Sequence, residues 1–193
     1  MPSPTINKGG RVHSYGTPYH EPFVLFGFVA GATRRLEFAT GILILPQRQT
    51  VLVAKQAAEL DLLTGGRLRL GVGRNWMEYE ALNEDFCTRG RRIEEQVEVL
   101  RRLWTEELVT FHGRWHHLER AELNSMLVQR PIPIWMGSCT VLLERAIQRI
   151  ARMSNSWFPQ FPPNEEFRAL LERLRSYVRC RPRSSAHRVR CSD

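Results

Sequence analysis

The sequence predicts an α/β fold built from parallel β/α units. Short apolar segments alternate with helical segments four times along the chain. The strand candidates are apolar on both faces, as strands covered on both sides of a parallel sheet are. Small residues gather where those strands end, in Thr40-Gly41-Ile42, Gly71-Val72-Gly73-Arg74-Asn75 and Gly137-Ser138-Cys139-Thr140. Strand carboxyl ends are where parallel α/β folds bind ligands.

Residues 1–19 are polar and rich in Gly, Pro and Ser, and read as loop. Pro22 suits the first turn of a helix, and the apolar run Phe23 to Ala30 continues it as a buried helix. Leu36 to Leu45 reads as one buried strand stopped by Pro46. Residues 50–63 form a helix with Leu52, Ala57, Leu60 and Leu63 inward, closed by Gly65-Gly66. Arg67 to Gly73 is the next strand. A helix over 88–105 carries the stripe Ile93, Val97, Leu100, Trp104 and the pair Glu98/Arg102 at i,i+4 spacing. Residues 109–118 form a small hairpin turning at Gly113. Ile132 to Met136 and Ser156 to Phe158 are short strands, each followed by a helix, over 141–152 and 163–178. The organisation is a loop (1–19), one domain (20–178) and a basic tail (179–193), expected to be disordered because it is charged and lacks apolar periodicity.

Composition narrows the function classes. The chain has 193 residues and a formal net charge of +8. Half of that excess lies in the tail, with arginines at 179, 181, 183, 188 and 190. The rest is spread along helices, so a basic nucleic-acid-binding protein is an alternative but an unfavoured one. No apolar run approaches the roughly 18 residues of a membrane span, and the N-terminus lacks the apolar core of a signal peptide. A cytoplasmic protein without membrane contact is expected. Cys87, Cys139, Cys180 and Cys191 have no CxxC or metal spacing. His116 and His117 are adjacent, so their rings leave a strand on opposite faces, and no metal site is expected. No Ser/His/Asp arrangement or Walker motif is visible.

Each strand end supports two readings. Gly41 marks a bulge or a packing glycine. Gly73 with Arg74 admits a phosphate or is a tight exit with a solvated arginine. Ser138 and Thr140 expose backbone N–H groups to an anion or simply cap a helix. Trp157 and Phe158 wall a ring-shaped ligand or belong to the core. His13 and His20 lie in a loop bordering this end and are weak candidates for proton transfer.

The order of these pieces is more specific than any one of them. Leu36 to Gln47 (LEFATGILILPQ), Ala54 to Asp61 (AKQAAELD), Leu63-Thr-Gly-Gly-Arg67 and Leu70-Gly-Val-Gly73 resemble the luciferase-like monooxygenase superfamily. Arg91 to Gln96, Leu103-Trp104, Thr110 to Trp115, Pro131 to Gly137 and Trp157-Phe158-Pro159 follow in family order. The resemblance runs from about Tyr19 to Tyr177 and is nearest to the deazaflavin-dependent oxidoreductases of actinobacterial type. It implies part of a TIM (β/α)₈ barrel, about four parallel β/α units with a small hairpin insertion. A complete barrel takes about 250 residues.

The resemblance further implies an oxidoreductase or monooxygenase using FMN or the deazaflavin coenzyme F420, with a small-molecule substrate. Gly41 and Ile42 map to a non-proline cis peptide bulge that supports the cofactor ring. Gly73, Arg74 and Asn75 lie near the cofactor, with Arg74 toward the phosphate. Gly137, Ser138, Cys139 and Thr140 map to a glycine-rich phosphate turn. The chain departs from the pattern at several places. Two strands are expected before residue 19, with acidic and histidine positions used at the second, and two more after the fourth unit. Residues 76–78 look about two residues short, and Gly137-Ser138 stands where Gly-Gly is usual. After Tyr177 the match stops, and the Arg/Pro-rich sequence is either a real tail or a frame-shifted one. The alternative is therefore a catalytically inactive barrel fragment. A homodimer or a complementing chain would supply the remaining strands.

Overall fold

The structure, a computed structural model, describes residues 18–73, 82–124, 127–138, 144–159 and 163–179. Its elements in chain order are α1 (Pro22–Ala32), β1 (Phe38–Ala39), β2 (Leu43–Ile44), α2 (Thr50–Thr64), β3 (Leu68–Gly73), α3 (Arg89–Thr105), β4 (Val109–His112), β5 (His117–Ala121), β6 (Ile134–Ser138), α4 (Glu144–Met153), β7 (Ser156–Pro159) and α5 (Glu165–Arg179). The architecture is a curled half-barrel of four parallel strand positions, with β1 and β2 as two pieces of the first. The order across the sheet is β1/β2, β3, β6, β7. The antiparallel pair β4–β5 stands apart as the expected hairpin.

Alternation along the strands divides the sheet into two chemically different faces. Phe38, Leu68, Leu70, Val72, Ile134, Met136 and Trp157 are buried on the convex side among the helices. The intervening residues, Ala39, Arg69, Gly71, Gly73, Trp135, Gly137 and Phe158, belong to the concave side. There Phe158 is 36% exposed, and Trp135 and Phe158 stack with ring centroids 6.4 Å apart. In a closed barrel this face is the interior.

The helices are amphipathic to different degrees. In α3 the expected stripe is in place, with Ile93, Val97, Leu100 and Trp104 all buried, and Arg102 bonds Glu98 at 2.9 Å. In α2 the stripe differs from expectation. Val53, Ala54, Ala57, Ala58, Leu60 and Asp61 are buried, whereas Leu52 and Leu63 are 52% and 66% exposed. Small alanines let α2 pack close to its neighbours, and the leucines flank that seam. Gly65 ends the helix in the left-handed conformation at φ 64°, as its sequence position called for.

Helix α1 also corrects an expectation. It is apolar all round, yet only Phe23 and Ala30 are buried, and Val24 and Phe28 are 72% and 78% exposed. Glu21 caps it by accepting from Val24 N at 3.0 Å and pairs with Arg48. Neither Gly27 nor Gly31 of this helix has an atom within 4 Å of where a Cβ would stand. Gly27→Ala is therefore expected to stabilise the chain by up to about 1 kcal/mol through helix propensity alone. A thermal melt followed by circular dichroism should show a rise of a few degrees.

At the amino end of β3 a buried carboxylate ties elements together. Asp61 is fully buried. Its Oδ2 accepts from the backbone N–H groups of Val128 and Gln129 at 2.8 and 2.9 Å. Its Oδ1 accepts from Gln129 Nε2 at 2.7 Å. Gln129 also donates to Leu68 O at 3.0 Å and accepts from Arg69 at 3.1 Å. This network lies at the end of the sheet opposite the glycine-rich strand exits.

Candidate functional site

Leu36 to Leu45 does not form the single strand its composition predicts. Ala39 pairs with Arg69 and Leu43 with Val72, so four steps along the first strand match three along β3. The surplus residue makes a bulge. Within it the Gly41-Ile42 peptide bond is cis. Thr40 anchors the bulge, donating from Oγ1 to Gly71 O at 2.6 Å. Leu45 then enters a short 3₁₀ turn, Leu45–Gln47, rather than extending the strand.

The bulge lays Ile42 across the two neighbouring strands. A Cβ on Gly73 would stand 1.9 Å from Ile42 Cδ1, and one on Gly137 would stand 2.5 Å from Ile42 Cγ2. A Cβ on Gly41 would meet the Phe158 ring at 3.8 Å. Gly41, Ile42, Gly73 and Gly137 thus share one rim, at the carboxyl ends of β2, β3 and β6. The result is an apolar ledge, with glycines beneath Ile42 and the Trp135–Phe158 pair beside it. Of the two aromatics expected at the last strand end, only Phe158 faces this side. Trp157 is in the core, stacked on Phe167 at 5.6 Å.

The backbone of Ser138 continues β6 past Gly137 and pairs with Pro159, two residues beyond the expected end of that strand. Glu21 pairs with Arg48, just past β2, which puts the neighbouring His20, exposed, at the same end of the sheet. His13, Arg74, Asn75, Cys139 and Thr140 lie outside the described residues, as do residues 1–17 and the tail from 180.

Below the ledge, on the helix side, a cavity of about 40 Å³ is lined by Val72, Gly73, Met136, Gly137, Arg89 and Arg149. A volume of that order holds a water molecule and no ring system. Arg149 is committed to Glu94 at 2.7 Å, so the cavity is structural space behind the rim.

Sequence reading missed two constellations, the first because it is assembled across distant segments and the second because it depends on the register of one hairpin. In the first, Gln96 Nε2 donates to Thr50 Oγ1 at 3.0 Å. Thr50 Oγ1 lies 2.5 Å from His116 Nε2, and His116 Nδ1 lies 2.8 Å from Glu95 Oε1. Hydroxyl, imidazole and carboxylate stand in the order of a nucleophilic relay. However, Thr50 is 4% exposed and already accepts from Gln96. Gln96 also donates to Leu45 O at 2.9 Å. The chain is therefore a latch that holds the hairpin and the segment after the bulge onto α3.

Burial alone would raise the Glu95 carboxyl pKa. The His116 ring and the backbone N–H groups of Trp115, Arg114 and His116 outweigh it, leaving Glu95 below the ordinary carboxylate range. A depressed folded-state pKa adds stability above the unfolded-state value, and that stability is lost as pH falls through the folded value. Wild type is thus expected to lose stability on acidification more steeply than Glu95→Gln, which lacks this group. Urea unfolding midpoints across the acid range check it, and parallel profiles would count against the latch. The second constellation brings His112, His117 and Glu119 together on the exposed face of the hairpin, with one ligand atom from each within 4.8 Å of the others.

The model of the luciferase-like monooxygenase family matches residues 9–191. An uncharacterised protein of Mycobacterium bovis is 36% identical over 174 residues, covering 89% of this chain and 59% of its own length. The FMNH₂-dependent dimethylsulfone monooxygenase of Pseudomonas putida is 31% identical over 145 residues, covering 72% of this chain and 39% of that protein. Among solved structures, the coenzyme F420-dependent tetrahydromethanopterin reductase from Methanopyrus kandleri superposes with a TM-score of 0.74 at 17% identity, over 83% of this chain and 50% of that one. The chain spans about half the length of the curated relatives it matches.

Proposed function

Since the chain belongs to the luciferase-like monooxygenase family, we propose that it forms a flavin- or deazaflavin-binding rim of an oxidoreductase or monooxygenase acting on a small molecule. The observation that carries this reading is the ledge, with Ile42 laid over Gly73 and Gly137 at three adjacent strand ends. A planar, largely apolar ring needs a flat apolar support with no side chain projecting through it. Glycines at 73 and 137 leave Ile42 the space to provide one.

FMN and coenzyme F420 both fit that support. The relative from Pseudomonas putida is named for FMNH₂, and the reductase sharing the fold is named for F420. When bound, either group supplies the redox chemistry. This chain's residues would hold and orient it. Ile42 bears on one face of the ring, and Trp135 and Phe158 keep water from the concave side. Arg74, Asn75 and the backbone from Gly137 through Ser138 and Cys139 to Thr140 would face the phosphate. His20 and His13 would border the ring's reacting edge as proton donors.

Among the described residues, β1/β2 and β7 are open edges of the sheet. A homodimer or complementing strands closing those edges would complete the rim. A basic nucleic-acid-binding role stays the unfavoured alternative, because several of the described arginines are partnered by acids. Arg48, Arg69, Arg92, Arg149 and Arg173 are each paired with a glutamate.

Fluorescence titration of the chain with FMN and with F420, alongside a turnover assay, tests the reading. Half a rim preorganises only part of the contact, so saturable binding weaker than micromolar, with little turnover, is expected. Micromolar or tighter binding with turnover would show that the half-barrel is a working enzyme. No binding of either cofactor at any accessible concentration would remove the proposed function.

A further inference from the structure

We propose that His112, His117 and Glu119 form a binding site for one divalent transition-metal ion of the zinc class, on the exposed face of the β4–β5 hairpin. His112 and His117 are direct cross-strand partners. Glu119 lies two residues beyond His117 on the same strand and hence on the same face. All three side chains are exposed, and one ligand atom from each lies within 4.8 Å of the others.

The separations of Glu119 Oε1 from the two ring Nε2 atoms suit a shared metal ion, and the Nδ1 atoms are the other nitrogens of those rings. The two Nδ1 atoms are 3.0 Å apart. Glu119 Oε1 lies 3.3 Å from His112 Nε2 and 3.5 Å from His117 Nε2. Ligand atoms around a tetrahedral zinc ion, with metal–ligand distances of about 2.0–2.1 Å, are roughly 3.3 Å from one another.

A metal ion would take one nitrogen from each ring and one oxygen from Glu119. Water would fill the remaining position. His116, the next residue, is not part of the site, since both its nitrogens are held by Glu95 and Thr50.

An ion here would cross-link β4 and β5 and stabilise the folded hairpin by mass action. Calorimetric titration of the full, tag-free chain with zinc chloride at mildly alkaline pH tests this. Wild type and His20→Ala should each bind one zinc ion at this site. The double variant His112→Ala/His117→Ala should lose at least tenfold in affinity, and Glu119→Gln should be weakened. Zinc should raise the melting temperature of wild type and not of the double variant, whose circular dichroism confirms folding. Zinc affinity unchanged in the folded double variant, or no saturable binding by wild type up to millimolar zinc, would overturn the proposal.

Discussion

Gly71→Ala is expected to lower the melting temperature by roughly 6–12 °C, the shift that about 3 kcal/mol of overpacking produces in a chain of this size. A Cβ at this position would stand 1.9 Å from the carbonyl oxygen of Thr40 and 3.0 Å from its carbonyl carbon. Both are backbone atoms, so no side-chain rotation relieves the clash. The strand pair must separate, and with it goes the Thr40 hydroxyl bond to Gly71 O. Gly73 makes an informative contrast. Its closest obstacle is the end of the Ile42 side chain, which can swing away. Gly73→Ala should therefore cost much less stability while disturbing the ledge. Thermal melts of the two variants check the distinction, and equal losses would show that the bulge is not seated as described.

Asp61→Ala is expected to cost about 3–5 kcal/mol, because it strands buried donors that one carboxylate now satisfies. The backbone N–H groups of Val128 and Gln129 and the Gln129 amide all lose their acceptor. Asp61→Asn keeps one carbonyl oxygen and should fall between wild type and alanine. Chemical denaturation with a shared slope measures the series. A loss under 1 kcal/mol for alanine would mean that water replaces the carboxylate and that the buried network is not a structural tie.

The sequence and the structure agree best where periodicity is strong. The α3 stripe, the Gly65 cap and the parallel alternation were readable because each follows from a local rule. Leu36 to Leu45 looked like one strand because its composition is uniformly apolar. The bulge that divides it depends on register against β3, and register is a tertiary property. Helix α1 looked buried for the same reason, since apolarity does not say whether a covering layer is present. In the site, Gly41, Gly73 and Gly137 stood out individually as strand-end glycines. That Ile42 occupies the space above two of them required three strands in place. His112 and His117 are five residues apart, and only the hairpin register makes them neighbours.

We propose the Ile42 ledge as the surface that bears the ring of a flavin-type cofactor. Amide chemical-shift mapping of the isotope-labelled chain, titrated with FMN and with F420 into the millimolar range, tests it most directly because it registers weak binding and locates it. Saturable shifts concentrated at Gly41, Ile42, Gly73 and Gly137 are expected, with apparent affinity reduced at least tenfold by Gly73→Ala. Shifts centred elsewhere on the chain, or the same affinity in the folded variant, would contradict it.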